Sequence, residues 1–142
     1  MNEQMNQRVK AFFIEFEGAN ATSDVARIGD LYAQTFMFAG PNGVQLVKKE
    51  DFLKVVPKIK AHCASLGLSE TQIQTVEVST ITSKYILVNT AWKMTVRNSG
   101  GSKQVDTFAT YILEQEAEDT FRIVFQIDHQ DLASVIKDQR NI

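Results

Sequence analysis

The chain has 142 residues, 44% of them hydrophobic and 23% charged, with a formal net charge of −2. That length fits one domain with a sizeable core, and the scattered basic residues form no surface for tracking phosphates, so nucleic acid is not an expected partner. Cys63, the single cysteine, excludes an internal disulfide, no run is long enough to cross a bilayer, and the opening Met-Asn-Glu-Gln-Met-Asn-Gln-Arg lacks the apolar run of a signal peptide, so a cytoplasmic location is expected.

Val9, Phe12, Phe13 and Phe16 fall at i, i+3, i+4 and i+7, which predicts a helix starting near Asn2. Gly18 and Asn20-Ala21-Thr22-Ser23 are expected to break it. Ser23 or Asp24 can cap a second helix, with Val25, Ile28 and Tyr32 on one face. Phe36 and Phe38 then alternate with Thr35, Met37 and Ala39, a short strand ending at Gly40-Pro41. Asn42-Gly43 signals a turn, because both residues tolerate positive φ, and Val44 to Val47 reads as a short return strand.

A third helix is expected from about Lys49 to Leu66, with Phe52, Val55, Val56, Ile59, Cys63 and Leu66 as its apolar stripe. Pro57 removes one backbone hydrogen bond inside it, which predicts a kink or two abutting helices; Gly67 is a stop signal. From Leu68 onward the pattern is strands, about Gln72–Thr82, Lys84–Val96, Gln104–Glu116 and Thr120–His129, joined by connections short enough for hairpins. Asp131 to Ile136 closes the chain as a short helix. There are no linkers or repeats, so residues 1–142 read as a single domain of the α+β class, helices first and an antiparallel meander after. The second long strand is apolar on both faces, with Ile86, Val88 and Trp92 against Tyr85, Leu87 and Ala91. Helices cover one face, and a second copy of the chain is the expected cover for the other, which predicts a homodimer.

The stretch Asp30 to Gly43 (Asp-Leu-Tyr-Ala-Gln-Thr-Phe-Met-Phe-Ala-Gly-Pro-Asn-Gly), the helix that follows it and the ending Thr-Phe-Arg-Ile-Val-Phe-Gln-Ile-Asp-His together resemble the NTF2-like superfamily. That group includes the ketosteroid isomerases and the SnoaL-type cyclases. The resemblance implies a cone-shaped, cystatin-like roll with N-terminal helices packed on a curved antiparallel sheet, and a pocket between the two. It also allows the isomerase positions to be checked. The catalytic carboxylate before the proline is replaced here by Gly40, the oxyanion-hole tyrosine of the first helix by Phe16, and its partner aspartic acid by Ala109. The chemistry needs a base and two donors for the enolate charge, so a ketosteroid isomerase mechanism is not expected.

Among titratable residues, His129 continues the Phe121, Ile123, Phe125 and Ile127 face, taken as the inner one. That places it at the pocket mouth as an acid or base, with Asp131 to orient it. The plainer reading is a hydrogen-bonded histidine, with Asp128 or Asp131 capping the last helix. Tyr32 is either a hydroxyl donor into the cavity or a packed aromatic. Phe16, Trp92, Tyr111 and Phe125 are candidate walls for an apolar ligand, or plain core. Asn89, Thr90 and Gln126 mark either a polar pocket wall or a hydrated interface. His62 and Cys63 are adjacent on a helix, about 100° apart, the wrong geometry for a thiolate–imidazole pair. No metal or cofactor signature is present. Three function classes follow. The first is a protein that binds a small apolar or ring-containing ligand. The second is a cyclase, isomerase or dehydratase using His129 with Tyr32. The third is a dimeric interaction module.

Overall fold

The computed structural model describes residues 3–140. Helix α1, Glu3–Ala21, buries Val9, Phe12, Phe13, Phe16 and Ala19 on one stripe, as its apolar spacing requires; the expected start near Asn2 lies outside the described residues. The helix does not break at Gly18. Ala19 is fully buried and the Asn20 side-chain amide donates back to the Phe16 carbonyl, 2.9 Å away, so packing outweighs the roughly 1 kcal/mol that glycine costs a helix. The break comes at Ser23, which adopts positive φ. Asp24 then caps α2, Val25–Gly29, by accepting from the Arg27 amide.

Because α2 is a single short turn, Tyr32 is not helical as expected but is the first residue of β1, Tyr32–Gly40. Strand β2, Gly43–Lys48, returns antiparallel to it, and α3, Lys49–Ser65, follows at once. Pro57 is exposed and does not divide α3, which runs through it as one helix; only the solvent side loses a hydrogen bond. Val56 is the one fully buried residue of α3, while Val55 and Ile59 stay exposed.

The remaining strands are β3, Leu68–Thr80, β4, Tyr85–Asn98, β5, Gly101–Ala117, and β6, Thr120–Asp128, before α4, Leu132–Arg140. The six-stranded sheet has the order β2-β1-β6-β5-β4-β3, antiparallel except where β1 runs parallel to β6. The core lies on the face covered by α1 and α3. There Ile86, Val88, Trp92, Tyr111, Leu113, Phe121 and Ile123 meet the α1 phenylalanines. Ile136 of α4 seats separately on Met94 and Val96.

One irregularity decides which residues face that core. Ile112 of β5 pairs with Phe125, yet its neighbour Leu113 pairs with Ile123, so Val124 is an extra residue in β6. A bulge of this kind offsets the alternation by one. Phe121 and Ile123 point inward before it; Gln126 and Asp128, opposite Tyr111 and Ala109, point inward after it. Phe125, Ile127 and His129 are therefore on the outer face, which corrects the inward placement expected for Phe125 and His129.

Candidate functional site

A cavity of about 460 Å³ opens between the sheet, the C-terminal half of α1, α3, the start of β3 and α4. Its floor is aromatic. Phe16 lies 5.7 Å from Trp92, 5.6 Å from Tyr111 and 6.5 Å from Tyr32, ring centre to ring centre, and Phe52 of α3 closes on Tyr32 at 4.9 Å. Of the candidate ligand contacts, Phe16, Trp92 and Tyr111 line this cavity and Phe125 does not; the candidate donor Tyr32 lines it too.

A polar chain crosses the aromatic floor. The Tyr32 hydroxyl donates to Gln126 Oε1 at 2.5 Å, and Gln126 Nε2 donates to Asp128 Oδ1 at 3.1 Å. Burial pushes the Asp128 carboxyl up, with the Gln126 amide and His129 pulling it partly back. Burial raises both phenols as well, and the nearby Asp128 carboxyl adds to each; for Tyr111 the Tyr32 phenol contributes too. Tyr111 is 2% exposed, and its hydroxyl has no hydrogen-bond partner among the described residues. Trp92 is anchored from behind, its indole N–H donating to Thr90 Oγ1 at 2.7 Å, and that hydroxyl donating to the Ala109 carbonyl at 2.8 Å.

Ala109 pairs directly with Asp128, so the Asp128 carboxyl stands one strand away from it. Directly opposed residues hold their Cβ atoms about 5 Å apart. Gln126 and Asp128 are the cavity-lining residues that strand alternation misses. The signal is in the chain, as two polar residues spaced by two between Phe125, Ile127 and His129, but without the bulge they read as the outer face.

His129 belongs to a different cluster. Its Nε2 lies 2.8 Å from Thr110 Oγ1, which donates to Asn89 Oδ1 at 2.7 Å, and its ring sits 6.2 Å from that of Phe108. Asp131 does not orient it; Asp131 accepts from the Ser134 hydroxyl at 2.6 Å at the start of α4. Asn89 is thus on the outer face, and Thr90 and Gln126 on the inner. Cys63 borders the cavity from α3, where burial pushes its thiol up, while His62 is exposed. Among the described residues, no three His, Cys, Asp or Glu side chains group closely enough to hold a metal ion, and no helix is long and apolar enough to cross a membrane.

Residues 2–131 match the family described as NTF2-like protein (DUF6841), and the chain belongs to that family. No curated protein matches it significantly. Among solved structures it is similar to an NTF2-like protein of unknown function from Shewanella oneidensis, at 16% identity and a TM-score of 0.69, covering 88% of this chain and 98% of that one. A ketosteroid isomerase-like protein from Erwinia carotovora atroseptica superposes with a TM-score of 0.69 at 15% identity, covering 91% and 97%. A protein of unknown function with a cystatin-like fold from Nostoc punctiforme gives 0.67 at 12% identity, covering 92% and 94%. The fold is therefore the NTF2-like, cystatin-like α+β roll; identities this low carry the fold alone.

Proposed function

We propose that this protein binds a small, largely apolar, ring-containing molecule in the cavity between helices and sheet, with the ligand's polar end set against Asp128 and Tyr111. The observation that carries this reading is the pairing of aromatic walls with two hydrogen-bonding groups that the described residues leave open: the Tyr111 hydroxyl and the second carboxyl oxygen of Asp128. A few convergent polar groups in an apolar cavity are what fixes a ligand's orientation. A thermal-shift screen of ring-bearing metabolites tests it, run on the wild type and on Asp128→Asn and Tyr111→Phe. A compound at about 100 times its dissociation constant stabilises the native state by roughly 2.7 kcal/mol. Hits weakened by either substitution are expected, and a library that shifts no midpoint sinks the reading.

A second reading is favoured by one observation, the burial that raises the Asp128 carboxyl beside a phenol. Carboxyls tuned in this way serve as general acids or bases. An activity of the isomerase, cyclase or dehydratase kind then rests on Asp128, with Tyr111 as donor, and not on the outward His129. Mass spectrometry of each hit after incubation with protein separates turnover from binding.

The outer face of the sheet supports a homodimer. Val44, Leu46 and Phe108 are exposed there, beside the outward Met37, Phe125, Ile127 and Ile112. A continuous apolar patch on β2, β1, β6 and β5 is the kind of surface a second copy covers. Light scattering at micromolar concentration is expected to report twice the chain mass, and Leu46→Asp to lower it; a wild-type monomer removes the dimer.

A further inference from the structure

We infer that the cavity is selective for an organic cation, a protonated or quaternary amine carried on a ring or a short hydrocarbon body. This rests on the pocket reading above and adds the sign of the ligand's charge. Among the described residues, the charged side chains bordering the cavity are Glu17, Glu70 and Asp128 against Lys60. A cleft lined by one prevailing sign and walled by apolar side chains focuses its field on the ligand. Lys60 does not reverse that sign, since it stands against three carboxyls.

Asp128 is the charged group on the floor, and no lysine or arginine pairs with it among the described residues. Burial pushes this carboxyl toward its neutral form, because a partly buried carboxylate left without a cation is costly, and a neutral ligand brings no charge to offset that cost. An anion would add repulsion. An ammonium removes the penalty.

The walls suit the same charge. Phe16 meets Tyr32, Trp92 and Tyr111 at interplanar angles of 45°, 49° and 71°, inclined and not stacked, and all four rings line the cavity. A cation over such faces gains about 0.5–2 kcal/mol, most over indole and phenol rings. The Tyr111 hydroxyl, 2% exposed and unpartnered among the described residues, is an acceptor as well as a donor and so can take an N–H from a protonated amine.

The test uses near-isosteric probes of different charge: phenethylamine and benzyltrimethylammonium, 2-phenylethanol, and phenylacetate. Each is titrated calorimetrically into the whole protein near neutral pH and low salt. The wild type is expected to bind at least one cation about tenfold or more tighter than the alcohol, with phenylacetate weakest. Asp128→Asn is expected to bring cation and alcohol within about twofold of each other, because the cation loses more affinity than the alcohol does. If the alcohol or phenylacetate binds the wild type as tightly as the tighter of the two cations, the cation proposal falls and the pocket reading stands. If no probe binds at millimolar concentration, both fall. The wild-type series decides the matter by itself should Asp128→Asn fail to fold.

Discussion

Replacing Phe13 with alanine is expected to lower the stability of this protein by about 3–5 kcal/mol, the usual cost of deleting a fully buried phenylalanine. Phe13 is 0% exposed. Its ring meets Phe12 edge-on at 5.1 Å, Phe16 at 5.7 Å and Tyr111 at 4.9 Å. The loss therefore combines transfer of an aromatic ring, the cavity left between α1 and the sheet, and three ring contacts. Against a total stability of roughly 5–15 kcal/mol for a typical domain, that is a large fraction. Urea denaturation followed by circular dichroism measures it, and the midpoint should fall with little change in slope. Phe13→Leu keeps most of the volume and should cost much less, about 1 kcal/mol. A Phe13→Ala loss below about 1 kcal/mol would mean that α1 is not packed on the sheet as described. The variant also bears on the site, because Phe13, with Phe16, backs Tyr111 from the helix side.

The second large effect is expected at Gly67, where α3 passes into β3. Its φ is +116°, and a Cβ built there would lie 2.7 Å from the Arg97 carbonyl oxygen. The approach is close because the two strands are bonded at this point, the Arg97 amide donating to the Gly67 carbonyl at 2.8 Å. Gly67→Ala thus meets two obstacles, a backbone conformation that L-residues rarely adopt and a clash with main chain that cannot rotate away. Strain of the first kind alone costs about 1–3 kcal/mol. Gly43→Ala is the control. Its φ is +133°, but nothing lies within 4 Å of the added Cβ, so it carries the strain without the clash. Gly67→Ala is expected to lower the urea midpoint further than Gly43→Ala; equal shifts would show that the clash relaxes at no cost. Because Leu68, Ser69, Glu70 and Thr71 border the cavity, the damage is expected to reach ligand binding as well.

Both positions are legible in the amino-acid sequence alone. The four apolar residues of α1 lie at helical spacing, and Gly67 ends a helical stripe. The order of helices and strands and the aromatic stretch through Phe36 and Phe38 can be read in the same way. These are local properties, set by periodicity, turn chemistry and residue type, which short windows of sequence contain.

What the tertiary structure decided is the direction in which side chains point once a period is interrupted. Alternation along β6 gives one answer if the strand is regular and the opposite answer beyond an extra residue, and nothing local to Val124 announces the bulge. It follows from pairing with β5, where Ile112 and Leu113 take Phe125 and Ile123, a contact between distant parts of the chain. That single offset moves His129 out of the pocket and Asp128 into it. Tyr32 departs from its helical expectation for a related reason: as helix or strand it is equally apolar in its surroundings, and only its alignment beside Ile123 of β6 makes it the start of a strand. Residue types and spacing determined the fold and the aromatic material of the cavity; long-range strand register, which a one-residue slip inverts, determined the acid at its floor.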